Sequence, residues 1–163
     1  MNGSDHSALE VHVHVDDSEE PPESKNLDSN TVAALARHVI IEEGRTEGEL
    51  DVVFCGDEKI SDLNRKWFDR DGPTDVIAFN LSEDSPDAGS LEGELYIDLH
   101  QAERQAPQYN VSFDEEIRRL VVHGVLHLVG YTDTGTPEEA EQMLERQEYY
   151  VANWTRPVMG GAH

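Results

Sequence analysis

The stretch His123-Gly124-Val125-Leu126-His127-Leu128-Val129-Gly130-Tyr131-Thr132-Asp133 constrains this chain more than any other. Two histidines four residues apart stack on one face of a helix, where both rings reach a single ion. Gly130 stands at the helix C′ position, where glycine takes the left-handed conformation that reverses the chain. Asp133 follows three residues later, so the turn carries a carboxylate back toward the imidazoles. The pattern offers two nitrogens and one oxygen. Catalytic zinc commonly keeps three protein ligands and leaves a fourth position to water, whereas structural zinc is usually closed by four, often thiolates. Cys55 is the sole cysteine, so the open form is expected. The competing reading makes one histidine a hydrogen-bonded core residue and Asp133 an Asx-turn residue. A glycine turn and a third ligand at fixed spacing argue against it.

The 163 residues suit one domain with a real core. No run is long and apolar enough to span a membrane, and the N-terminus lacks the basic-then-apolar pattern of a secretory signal. A soluble, cytoplasmic protein is therefore expected, with no membrane partner. Cys55 ends the apolar run Val52-Val53-Phe54 and reads as a buried small hydrophobe. The formal charge of −23 argues on electrostatics against a nucleic-acid partner, and DNA is not expected. The acids are spread along the chain, so a carboxylate coat suited to a salty cytosol, or simple solubility, accounts for them. At about 1 M salt the Debye length is near 3 Å, so such a coat weakens RNA docking without forbidding it.

Residues 1–8 read as a flexible N-terminus, 9–154 as one domain and 155–163 as a tail. Leu9 to Val15 alternates strictly, the mark of a half-buried strand with His12 and His14 on its solvent face. Asp16 to Ser24 is an acidic, proline-containing linker. Helical spacing of Val32, Leu35, Ala36, Val39 and Ile40 predicts a helix from Asn30 to about Glu43, closed by Gly44. Leu50 to Phe54 reads as a strand. A helix from Glu58 to Phe68 follows, with Ile60, Leu63, Asn64 and Trp67 along one side, then a turn over 69–73. Strands are expected over Thr74–Phe79 and Leu91–Leu99, separated by a polar loop over 80–90, with Gly93-Glu94 marking a close backbone approach.

The last third is helical. Gln101 to Tyr109 reads as a short helix, and Ser112-Phe113-Asp114-Glu115 has the form of a capping box opening the helix that carries both histidines. Gly124 costs that helix roughly 1 kcal/mol relative to alanine and leaves space beside His123 for substrate or another backbone. A second capping box, Thr136-Pro137-Glu138-Glu139, opens a helix to about Trp154 whose buried side holds Met143, Leu144, Tyr150 and Val151. The expected fold class is therefore α+β: a single domain with about four strands in a mixed sheet, about five helices, and the metal-bearing helix packed on the sheet.

Three blocks resemble the YbeY family, bacterial zinc-dependent endoribonucleases of ribosomal RNA maturation. Leu63-Asn64 with Asp71-Gly72-Pro73-Thr74-Asp75-Val76-Ile77-Ala78-Phe79 is similar to the family's Leu-Asn and Asp-x-x-Thr-Asp-Val-x-x-Phe pattern. Leu91-Glu92-Gly93-Glu94-Leu95-Tyr96-Ile97 is similar to its Gly-Asp/Glu strand. The opening stretch is close to His-Gly-x-Leu-His-Leu-x-Gly-Tyr-Asp-His, with Met143 and Glu148 following in a terminal helix. The blocks span about residues 50 to 150. This chain departs from the family at Asp133, where a third histidine is usual, at Thr132, where aspartate is common, and at Phe68, where an arginine important for activity is usual. Aspartate remains a competent zinc ligand.

The resemblance implies a metal-dependent endoribonuclease, a hydrolase holding one Zn2+ per chain on His123, His127 and Asp133. It implies single-stranded RNA as substrate, with action on the 16S 3′ end and in ribosome quality control beside small-subunit components. Arg70 or Arg65 is the candidate to offset phosphate charge, and Asp75 and Glu94 are further catalytic candidates, each with an alternative reading as a turn or supporting carboxylate. Two rivals stay open. The ligand spacing also resembles that of metzincin metalloproteases, which place a glutamate base where this chain has Gly124. A ribosome-associated protein in which zinc only stabilises the fold is the other, since likeness fixes a fold more firmly than an activity.

Overall fold

A computed structural model describes residues 8–16, 27–81 and 89–154. Residues 1–7 of the expected N-terminal segment, residues 17–24 of the expected linker, the centre of the 80–90 loop and the 155–163 tail lie outside the described residues. Within them the order is β1 (Leu9–Val15), α1 (Ser29–Glu42), β2 (Glu47–Cys55), α2 (Asp57–Phe68), β3 (Val76–Asn80), β4 (Ser90–Asp98), α3 (Leu99–Gln108), α4 (Phe113–Leu128) and α5 (Pro137–Asn153). The strands form one mixed sheet in the order β1-β2-β4-β3, with β1, β2 and β4 parallel and β3 antiparallel to β4. Four strands and five helices in an α+β domain match the expectation.

Alternation along each strand divides the sheet into two faces. On one, Leu9, Leu50, Val52, Phe54, Leu91, Leu95 and Ile97 are buried beneath α1 and α4. Leu35, Val39 and Ile40 of α1 and Val121, Val125 and Leu126 of α4 have no exposure at all. Burying side chains of this size contributes about 1.5 to 3 kcal/mol each before conformational entropy is subtracted. α5 closes the outside of α4 through Met143, Tyr150 and Val151. Among the described residues the other face is covered by α2, over Cys55, Ile60 and Ile77. His12 and His14 lie on its open part, facing Glu49 at 3.2 Å and Asp51 at 3.0 Å across β1 and β2. Cys55 is buried, its thiol directed at the Ile97 carbonyl.

Several boundaries and the exposure of two residues differ from the sequence reading. β2 starts at Glu47, because Glu47, Gly48 and Glu49 pair with Ser90, Leu91 and Glu92 although their composition is polar. Gly48 is obligatory there: its φ is +124°, and a Cβ would lie 1.8 Å from the Leu91 carbonyl oxygen. β3 starts at Val76, since Thr74 and Asp75 precede its ladder. Leu99 opens α3 instead of ending β4, because Asp98 caps the helix by accepting from the His100 and Gln101 amides. α1 begins at Ser29, capped by Asp28. Leu144, expected on a buried side, is 56% exposed, and Trp67, placed along the same side of α2 as the buried Ile60, is 58% exposed.

The histidine helix is seated by two reciprocal notches. A Cβ at Gly124 would lie 2.6 Å from Cδ2 of Leu95 on β4, and one at Gly93 of β4 would lie 3.0 Å from Cδ1 of Leu128 on α4. Each glycine receives the other element's leucine. Gly93 thus marks the close approach its sequence predicted, while the space beside Gly124 is filled by Leu95 and is not open to substrate. Interdigitation of this kind fixes helix register on the strand.

Candidate metal centre

α4 is capped at its start by Ser112, whose hydroxyl accepts from the Glu115 amide at 3.0 Å. At its end the Gly130 amide donates to His127 O and the Tyr131 amide to Leu126 O, with Gly130 at φ +112°. These two bonds form a Schellman turn, the reversal the glycine predicted. It brings Asp133 back over the helix. The Nε2 atoms of His123 and His127 are 3.1 Å apart, and Asp133 Oδ2 lies 3.6 Å from the first and 3.7 Å from the second.

Those separations suit a cation. Four ligands tetrahedrally disposed about zinc at about 2.0 to 2.1 Å are about 3.3 Å apart, and the three observed edges bracket that value. Each ring turns its other nitrogen to an acceptor: His123 Nδ1 lies 2.7 Å from Gln147 Oε1 and His127 Nδ1 lies 3.2 Å from the Tyr131 carbonyl. Protons on both Nδ1 atoms leave both Nε2 lone pairs directed at one point. Burial first, then His123 alongside, lowers the pKa of His127, which favours the neutral imidazole a metal needs. His123, His127 and Asp133 therefore form a group able to hold a metal ion. The other such group among the described residues, Glu10, His12 and Glu49, lies at the surface and is accounted for by His12 pairing with both carboxylates.

The sequence reading missed the supporting residues. Gln147 is buried on α5 and also donates to Glu148 Oε2 at 3.2 Å. Glu148 takes Arg119 of α4 in a two-point pair at 3.0 and 3.0 Å. Arg119 reaches Glu116, which accepts from Gln105 of α3 at 2.8 Å. A polar residue one turn after Met143, on the apolar stripe leading to Tyr150 and Val151, was the available signal for Gln147. The Asp133 loop is held from outside. Glu43, just after α1, accepts from Tyr131 Oη at 3.0 Å, Arg146 Nε at 2.8 Å and Tyr150 Oη at 2.5 Å. Burial raises the Glu43 pKa, but those three donors outweigh it and leave the group below its ordinary value.

A cavity of about 460 Å³ opens beside His123 between α3, α4 and α5, with Asp75, Tyr109, Arg119 and Leu144 among its walls. It brings Asp75 to the same space as His123. Glu94 is placed elsewhere. Its neighbours Gly93 and Leu95 face α4, so Glu94 points to the opposite side of the sheet, where Tyr96 Oη donates to it at 3.2 Å. Arg65 pairs with Asp62 on its own helix at 3.3 Å. Arg70 lies in the loop after α2, and among the described residues no hydrogen bond or ion pair joins either arginine to the triad. Phe68 is stacked on Phe79.

The solution structure of TM1509 from Thermotoga maritima matches this fold with a TM-score of 0.58, covering 86% of each chain at 24% identity. The family model described as Endoribonuclease YbeY matches residues 14–155. Curated relatives named Endoribonuclease YbeY include one from Chlorobium phaeobacteroides, 37% identical over 82% of this chain and 90% of that protein. Another, from Salinibacter ruber, is 36% identical over 78% of this chain and 84% of that protein. The chain belongs to the YbeY endoribonuclease family.

Proposed function

We propose that this chain is a zinc-dependent endoribonuclease of single-stranded RNA, acting in the cytoplasm on the 16S 3′ end and in ribosome quality control with small-subunit components as partners. The observation that carries the reading is the convergence of two Nε2 atoms and one carboxylate oxygen beside an open cavity, in a member of an endoribonuclease family. His123, His127 and Asp133 would hold one Zn2+. Bound there, zinc supplies a water acidic enough to act near neutral pH and a Lewis acid for a phosphodiester oxygen. Gln147 and the Tyr131 carbonyl fix the imidazole tautomers. Asp75, which lines the cavity, would orient an attacking water or take its proton, and Arg70 is the cation nearest it in sequence. Glu94 takes no part in this assignment, because the sheet lies between it and α4.

Leu95 filling the space beside Gly124 disfavours a metalloprotease, which needs a glutamate base at that position. Phe68 on Phe79, in place of an arginine, is the observation favouring the second reading, a non-catalytic zinc protein. Incubating the zinc-loaded chain with single-stranded RNA and with an unstructured peptide decides among the three. RNA cleavage that chelator abolishes and zinc restores is expected. Peptide cleavage with intact RNA overturns the reading, and so does chelation that lowers thermal stability in a chain that cleaves neither.

A further inference from the structure

Trp67 and Phe68, the last two residues of α2, are 58% and 45% exposed. Burial in the core does not account for rings left this exposed at a helix end. They are nonetheless ordered around one ring. Phe79 on β3 stacks on Phe68 at 5.9 Å and 20°, and meets Trp67 edge-on at 5.9 Å. Lys66 Nζ lies 5.3 Å from the Trp67 ring centre.

The cations around them are also set apart. In a chain of charge −23, Arg37 is spent on the Leu9 carbonyl, Arg45 on those of Ser90 and Val129, Arg104 on Asp57, Arg119 on Glu148 and Arg146 on Glu43. Among the described residues no ion pair holds Lys66 or Arg70, which flank the two aromatics. Exposed π-faces beside cations recognise single-stranded nucleic acid, the rings taking bases and the cations taking phosphates. Asp69 and Asp71 offset these cations, so Lys66 to Asp71 carries no net formal charge and the rings distinguish the segment. The loop from Arg70 reaches Asp75 of the His123 cavity within five residues, at most about 18 Å of chain.

We infer that Lys66, Trp67, Phe68 and Arg70 form a platform on which unpaired bases of single-stranded RNA stack beside the candidate metal centre. The inference rests on the RNA-cleaving reading of that centre.

Binding of a single-stranded oligodeoxyadenylate of about ten nucleotides to the zinc-loaded full chain tests it by fluorescence anisotropy, because bases stack whether or not the strand is cleaved. The Trp67→Ala, Phe68→Ala double variant should bind about 5- to 150-fold more weakly for each stacked base lost, with zinc content and circular dichroism unchanged. Trp67→Tyr with Phe68→Tyr should retain binding. Lys66→Gln with Arg70→Gln should flatten the slope of log affinity against log salt by about 1.4, from two lost phosphate contacts. An affinity and salt slope equal to those of the unsubstituted chain in both double variants overturn the platform, as does an unsubstituted chain that binds no oligonucleotide. The aromatics would then face a protein. RNA cleavage by the unsubstituted chain is read separately: cleavage with unaltered oligonucleotide binding in the variants sinks only the platform, and lost binding in a chain that never cleaves RNA sinks only the nuclease reading.

Discussion

Gln147 Oε1 lies 2.7 Å from His123 Nδ1, and that contact ties α5 directly to a proposed metal ligand. An acceptor there holds the proton on Nδ1 and orients the ring. Gln147→Leu should weaken zinc binding about 10- to 100-fold in chelator competition, while Gln147→Glu, which still accepts, should bind close to normally. Equal affinity for Gln147→Leu would remove the residue from the site.

Replacing His123 or His127 by alanine should abolish stoichiometric zinc. Metal analysis checks this directly: one zinc per chain retained by either variant means that the ion is held elsewhere.

Glu43 binds three donors from the Asp133 loop and α5. Glu43→Ala should cost about 2 to 4 kcal/mol in urea denaturation, since hydrogen bonds to a charged group contribute about 1.5 to 3 kcal/mol and the half-exposed Arg146 is discounted for screening. It should also weaken zinc binding, because Tyr131 stands two residues from Asp133. Stability lost without any change in zinc affinity would show that the loop needs no outside support.

Gly124→Ala sets a helix gain of about 1 kcal/mol against the insertion of a methyl 2.6 Å from a fully buried leucine. Overpacking costs about 1 to 3 kcal/mol, so a net loss of up to about 2 kcal/mol is expected. Leu95→Val added to Gly124→Ala should recover part of it. A stabilised Gly124→Ala chain would contradict the notch.

Asp98 is fully buried, and its Oδ2 has no hydrogen-bond donor. Burial first, then the facing Asp57 carboxylate, pushes its pKa up to about 8 from an ordinary 3.8. Asp57, paired with Arg104, moves the other way. Between 3.8 and about 8 the folded chain therefore holds a proton at Asp98 that the unfolded chain has lost, so this group's contribution to stability falls as pH rises through that window. Asp57 contributes above 3.8 and loses its effect only in more acid solution. Asp98→Asn keeps the cap acceptor and supplies a donor toward Asp57, so it should flatten the decline in stability from pH 5 to pH 8. An unchanged slope in thermal melts would refute the buried acid.

Periodicity and capping were legible in the chain. Val32, Leu35, Ala36, Val39 and Ile40 announced α1, Ser112 and Thr136 announced the starts of α4 and α5, and the His-x-x-x-His-x-x-Gly-x-x-Asp spacing announced a turn that returns a carboxylate to two imidazoles. These features are local, since a helix face and a Schellman turn follow from residues within a few positions of one another. What only the tertiary structure decided lies between segments distant in sequence. Gln147 meets His123 from another helix, and Glu43 reaches the Asp133 loop from the far end of α1. Leu95 fills the space beside Gly124, and the pleat sends Glu94 away from α4 although it is one residue from Leu95. Spacing names which atoms a residue offers. Packing across the sheet and between helices sets where those atoms point, because it depends on the register of elements that the linear pattern leaves free.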